Sequence, residues 1–182
     1  YPQLSTIPRF IIYGYSARPD YVFGLVAGLS WKGLSVSMQW TGALHASRVL
    51  SGEYRTPFGT QNSRSLLTYL ADGRWTEDNM DKARFPRLTF VNKTQYTRDS
   101  DLWLMDGSYL RLKTAEVAYT FKDKALMKAG ISSFKVFLSG YNLLTLFSEL
   151  EQYDIDPEGS TGDGTYTYPN NRIFNFGINI TF

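Results

Sequence analysis

The residues best equipped for chemistry are carboxylates. Glu149, Glu151, Asp154, Asp156, Glu158 and Asp163 fall in one short stretch. Hard oxygen ligands this close together could hold Ca²⁺, but their spacing is not that of an EF-hand and Pro157 restricts the backbone between them. The expectation is a solvated acidic loop. The single His, His45, has no identifiable partner for a metal site or a catalytic triad and is read as a solvated loop residue. There is no Cys, which excludes disulfides and thiolate metal sites. No G-x-S-x-G element, Gly-rich phosphate loop or basic–aromatic pattern occurs. A formal net charge of +2 sets up no field that would recruit nucleic acid. The reading is therefore of a non-enzyme with no catalytic set, no cofactor site and no metal site.

What the chain has in excess is aromatic rings: 13 Tyr, 12 Phe and 4 Trp. Tyr and Trp suit a membrane–water boundary, where one end of the ring is apolar and the other wet. Tyr21, Trp31, Trp40 and Tyr119 are read as such a girdle, with sugar stacking as the competing role. Tyr54, Phe58, Tyr69, Trp75, Tyr153, Tyr166 and Tyr168 stand outside the alternating segments. They are the candidates for contact with a ligand or a lid protein, against self-packing of the loops that carry them.

The elements that must position these residues are strands. In Ile173–Phe182, Phe174, Phe176, Ile178, Ile180 and Phe182 fall on one face and Asn175, Gly177, Asn179 and Thr181 on the other. Tyr21–Trp31 and Leu34–Leu44 alternate in the same way around Lys32-Gly33, a tight-turn dipeptide. Ser133–Leu143 alternates more weakly. In Tyr109–Phe121 the apolar face of the second half (Ala115, Val117, Tyr119, Phe121) would, on strict alternation, also carry Arg111 and Lys113. Either a bulge near Thr114 switches the faces, or the top of the strand rises above a bilayer. Strands of about 10 residues with one apolar face match tilted membrane-crossing strands. No run of about 18 apolar residues marks a membrane-crossing helix.

The connections are unequal. Lys32-Gly33 and Lys122–Ser132, the latter with a short helical look at Lys124–Lys128, are brief. His45–Ser108 and Leu144–Arg172 are long. Short periplasmic turns and long extracellular loops are the habit of outer-membrane barrels. Within His45–Ser108, Leu66, Leu67, Tyr69, Leu70 and Trp75 can line a short helix starting near Ser63 and ended by Asp72-Gly73, with Phe85-Pro86-Arg87-Leu88 as an apolar anchor. That loop is expected to be ordered. Five strands cannot close a barrel, and open edges in lipid leave backbone groups costing several kcal/mol each. Further strands are expected from the same polypeptide. Tyr1–Ser5 also lacks the basic-then-apolar order of a signal peptide, so a start upstream is expected.

The residues carry a family resemblance as well. Asp106-Gly107-Ser108-Tyr109-Leu110-Arg111-Leu112-Lys113 resembles the "D-x-S-Y-L-R-L-K" segment of SusC/RagA-type TonB-dependent transporters. Ala118-Tyr119-Thr120-Phe121 resembles the following "G-Y-T-F". Gly130–Ser133 through Gly140–Thr145 resembles the next strand, ending in "N-L-L-T". Tyr153-Asp154 and Asp156-Pro157-Glu158 are similar to a "Y-D-P-E" loop, interrupted here by Ile155. Trp75–Asn79 and Phe85–Leu88 resemble "W-T-P-E-N", without its Pro, and "Y-P-R-L". The matches run in order over residues 20–182.

The resemblance implies an all-β chain. Residues 1–182 would be the C-terminal segment, about five antiparallel strands, of a barrel of about 22 strands in the cell outer membrane. It implies partners outside this chain: the rest of the same barrel and its plug, TonB, and a SusD-like surface lipoprotein. The function implied is TonB-energised uptake of an oligosaccharide or peptide. Phe174, Phe176, Ile178, Ile180 and Phe182 would be the signal read by the barrel-assembly machinery through strand addition, with outer-membrane lipid on that face. The competing reading is a secreted soluble β-sandwich that binds carbohydrate, which predicts shorter strands. Loop composition is no code for a substrate, so the ligand stays open.

Overall fold

The computed structural model describes residues 14–59, 63–91, 93–128, 130–159 and 170–182. Five antiparallel strands form one sheet in sequence order: β1 (Tyr21–Trp31), β2 (Leu34–Leu44), β5 (Tyr109–Phe121), β6 (Ser133–Leu146) and β7 (Ile173–Thr181). A two-stranded ribbon, β3 (Ser47–Val49) with β4 (Leu104–Asp106), lies in the first long loop, along with the single-turn helices α1 (Thr68–Asp72) and α2 (Thr94–Thr97). Helix α3 (Lys124–Lys128) lies in the β5–β6 connection.

The register turns the alternation of single strands into two faces. Leu29, Val36, Val117, Leu138 and Phe176 form one cross-strand row, and Ala27, Met38, Ala115, Gly140 and Phe174 the next. Trp31, Leu34, Tyr119, Val136 and Ile178 form a third. The intervening rows belong to the opposite face and are mostly small or polar, Phe137 and Val26 among the exceptions: Gly28, Ser37, Glu116, Ser139 and Asn175 lie side by side there. On that face Lys135 Nζ donates to Glu116 Oε1 at 2.9 Å. The β1–β2 turn has positive φ at both central residues, 46° at Lys32 and 92° at Gly33. That is the type I′ turn, whose twist suits a two-residue hairpin.

The irregularity in β5 is a bulge. Gln39 pairs with Thr114 and Trp40 with Leu112, so Lys113 has no partner on β2. Across the other edge, Leu112 pairs with Leu144 and Thr114 with Tyr141, leaving Asn142 and Leu143 opposite Lys113. One extra residue shifts the phase of the side chains by one. Leu110 and Leu112 thereby join the apolar face in line with Leu146 and Leu144, and Arg111 turns to the polar face beside Thr41 and Thr145. Asn142 takes φ 52°, a left-handed conformation that Asn tolerates.

The sheet is a single layer, and among the described residues no second sheet covers its apolar face. Phe176 is 70% exposed and Leu29 72%. A soluble sandwich would bury those rows, and among the described residues no such packing occurs. The buried core lies instead in the loops. Other differences from the sequence expectations are small. β6 continues to Leu146, because Leu144 and Leu146 keep the apolar phase past the bulge. Helix α1 begins at Thr68 rather than near Ser63 and has no side-chain N-cap; so short a helix is held by the burial of Leu70.

One contact in the sheet makes a direct prediction. The Phe137 ring covers Gly177 so closely that an added Cβ would sit 2.2 Å from its Cζ. At Gly24 the nearest atom would be 3.7 Å away, an ordinary contact. In the intact protein, Gly177→Ala should expel the ring and destabilise by about 1–3 kcal/mol, whereas Gly24→Ala should be near neutral. Urea unfolding of the two variants in detergent separates them; equal midpoints would contradict the packing described.

Candidate functional site

The described parts of the two long loops fold into one body. Leu50, Leu70, Phe85, Tyr96, Trp103 and Met105 from the first loop pack with Leu150, Tyr153 and Ile155 from the second. Phe85 stacks on Trp103 with centroids 5.5 Å apart. Tyr69 meets Tyr153 edge-on at 5.1 Å, and its hydroxyl donates a hydrogen bond to the Tyr54 carbonyl. Burial, then the neighbouring Tyr54 and Tyr153, push the Tyr69 hydroxyl well above its ordinary pKa. Tyr96 is pushed up to about 12 by burial and donates to the Pro86 carbonyl at 2.6 Å. These phenols remain neutral at physiological pH and act as hydrogen-bond donors.

Polar anchors surround this core. Arg55 donates to Asp99 Oδ1 at 2.7 Å and to the Thr97 carbonyl at 2.8 Å. Lys93 Nζ reaches the carbonyls of Pro57 and Gly59 at 2.9 and 2.6 Å. Glu149 joins the loops from the other side: it accepts from Arg84 at 3.0 Å and from the Asp106 amide at 2.6 Å.

The inner anchor is Arg111, 5% exposed on the polar face of β5. Its Nη2 donates to Asp156 Oδ1 at 2.9 Å, its Nη1 to Glu158 Oε2 at 3.0 Å, and its Nε to Thr145 Oγ1 at 3.0 Å. Lys113, the bulge residue, donates to the same Glu158 oxygen at 2.6 Å. Asp156 also accepts the amides of Glu158 at 2.9 Å and Asn170 at 3.0 Å. Burial works to raise the Asp156 carboxyl, but the hydrogen bond from Arg111, the two amides and the Arg111 charge outweigh it. Its pKa lies below the ordinary aspartate value. A cleft of about 430 Å³ opens beside this network, lined among others by Arg111, Thr145, Asp154, Asn170 and Arg172.

The aromatic candidates fall into distinct positions. Tyr153 is in the loop core, and Tyr69 and Tyr54 pack against it. Phe58 stacks on Phe90 at 4.2 Å, and Trp75 is half-buried. Tyr166 and Tyr168 lie outside the described residues, as does Asp163. In the proposed girdle, Trp31 and Tyr119 sit in one row at the short-turn end and Tyr21 at the long-loop end, while Trp40 pairs with Leu25 in mid-strand. His45 stacks on Tyr15 at 4.3 Å and is half-exposed. Of the terminal apolar set, Phe174, Phe176, Ile178 and Ile180 share the apolar face of β7, and Phe182 follows the strand with 85% exposure.

The acidic stretch differs from the solvated loop expected. Asp156 and Glu158 are packed against cations, with side chains only 9% and 19% exposed. Among the described residues, no three His, Asp or Glu side chains converge as a metal site would require. Arg111 is the residue that sequence reasoning treated as a misfit and not as a site. Its signal was there: a cation out of phase with an apolar face needs a counter-charge, and Asp156-Pro157-Glu158 stands in the next long loop.

No family model matches the chain. It is 32% identical over 178 residues to "TonB-dependent receptor P26" of Formosa agariphila, covering 92% of this chain and 17% of that protein. It is 25% identical over 192 residues to "TonB-dependent receptor P3" of the same organism, covering 99% of this chain and 18% of that one. The chain thus spans less than a fifth of the curated relatives it matches. Among solved structures it is similar to the RagAB peptide importer at 26% identity, covering 92% of this chain and 18% of that one. The TM-score is 0.66 for the importer's open-open state and 0.68 for its closed-closed state.

The inner anchor carries two predictions. Arg111→Met would leave the buried Asp156 without its cation, while Glu158 keeps Lys113, and breaking a buried pair costs about 3–5 kcal/mol; residues 156–159 should loosen from the sheet while the sheet and the loop core stay formed. Acid is the second route. A carboxylate with a depressed folded pKa adds stability above the ordinary aspartate range, and this is lost as pH falls through the lower folded value. Nicking between Glu149 and Gly159 by an acid-active protease should therefore stay rare down to about pH 4 and rise below it. A rise already above about pH 5 would contradict the network.

Proposed function

The chain belongs to the TonB-dependent receptors of the SusC/RagA type, and we propose that it forms the C-terminal part of the barrel of an outer-membrane nutrient importer. The observation that carries this reading is the two-faced single-layer sheet with both long loops packed at one end. One face suits lipid; the other, holding Arg111, Glu116 and Lys135, suits a water-filled lumen. The relatives are receptors and transporters rather than enzymes, and the work assigned here is binding and gating, not bond-breaking.

The ligand is an oligosaccharide or a peptide, and energy comes from TonB through a plug carried by another part of the receptor. The loop body is the outer surface that meets the ligand and a SusD-like lipoprotein lid. The RagAB importer supports the pairing with a second protein. Phe174, Phe176, Ile178, Ile180 and Phe182 serve the assembly machinery and then face lipid.

Two measurements test this. Phe176→Arg in the full-length receptor should cost about 2–4 kcal/mol if it lies near the bilayer midplane, and Asn175→Arg far less; heat-modifiable gel mobility and unfolding in detergent report both. Equal costs would contradict the assignment of faces. Deletion of residues 63–75 should leave the barrel inserted but abolish uptake of oligosaccharide or peptide and capture of the lid protein. Uptake and lid capture that both survive would overturn the role given to the loops.

A further inference from the structure

We propose that Arg111 is a positioning residue: through Asp156 and Glu158 it fixes residues 149–159 of the last long loop to the inner wall, making that segment a stationary wall of the ligand passage and not a flap. The proposal rests on the importer reading above. Three anchors lie between Glu149 and Glu158. Leu150, Tyr153 and Ile155 are held in the loop core. Glu149 is held by Arg84 and the Asp106 amide. Asp156 and Glu158 are held by Arg111, and Glu158 also by Lys113. A segment held on three sides has no free direction in which to swing.

The third anchor differs from the others. It alone of the three joins the loop to a strand of the five-stranded sheet, so it decides whether loop and wall move together. The planar guanidinium addresses two carboxylates and Thr145 at once, which a lysine ammonium cannot do in fixed geometry. Asp156 in turn bonds the amides of Glu158 and Asn170, so the carboxylate that Arg111 grips also sets backbone on both arms of the loop. At the bulge, the Asn142 side chain donates to the Asn171 carbonyl at 3.0 Å, a further tie between the wall and the returning arm. Opening driven by ligand then falls to elements outside this chain.

The test uses the purified full-length receptor and hydrogen exchange read by mass spectrometry. Wild type is compared with Arg111→Gln, Arg111→Lys and the loop-side double variant Asp156→Asn/Glu158→Gln. The last leaves every strand residue in place and reports even where an Arg111 variant fails to assemble. In wild type, residues 153–159 should be equally protected with and without a casein digest or a dextrin mixture. In the loop-side variant they should exchange at least about tenfold faster, while residues 66–72 in the loop core keep their protection. Arg111→Lys should not restore the wild-type rate. In cells the loop-side variant should raise the KM of uptake with little change in maximal rate. Wild-type protection that falls when ligand is added, or a loop-side variant that exchanges like wild type, overturns the proposal. Failure of wild-type cells to take up either mixture would instead count against the importer reading, and the exchange comparison without ligand would still decide the role of Arg111.

Discussion

Everything in this chain depends on keeping Arg111 off the apolar face. A guanidinium cannot be deprotonated, and lipid offers it no hydrogen bonds. Strict alternation from Phe121 upward would place Arg111 and Lys113 beside Val117 and Tyr119. The bulge at Lys113 avoids this with one residue. It sends Leu110 and Leu112 to the apolar face, gives Arg111 a hydroxyl partner in Thr145, and leaves Lys113 free to reach Glu158. The continuation of both faces through the upper part of β5 and the loop anchor are consequences of the same local irregularity.

The loops obey a different economy. A single-layer sheet in lipid needs no core of its own, and the buried core of the described residues lies outside it. The first long loop could not order itself on its polar groups alone. It recruits Leu150, Tyr153 and Ile155 from the second loop, and burying that surface offsets the entropy of holding so long a segment. The described part of the second loop is amphipathic: Leu150, Tyr153 and Ile155 enter the core, Glu149 turns to Arg84, and Asp156 and Glu158 turn to Arg111. It is the piece that joins the cap to the wall.

Much of the fold was legible because strands in a two-solvent environment obey a period of two. β1, β2 and β7 appear in the alternation with their bounds nearly intact, and Lys32-Gly33 announces its turn. The bulge was legible only as a conflict, since nothing in Arg111-Leu112-Lys113 says which residue drops out of register. The ribbon β3–β4 was not legible, because three-residue strands carry no period. Helix α1 was misplaced because its start is set by packing of Leu70 and not by a cap residue. The out-of-phase Arg111 signalled a need for a counter-charge, but its pairing with Asp156 and Glu158 spans more than forty positions of sequence, and over that separation nothing local names the partners.

The central claim is that the bulge splits the faces of β5. Leu112 and Thr114 lie two apart and would share a face in any regular strand; here they pair across to Trp40 and Gln39 and face opposite ways. Single cysteines at these two positions of the full-length receptor, labelled in the outer membrane with a lipid-phase probe and with a water-soluble one, measure this directly. The account predicts that Leu112→Cys reacts with the lipid-phase probe and Thr114→Cys with the aqueous one. Labelling of both positions by the same probe would contradict it.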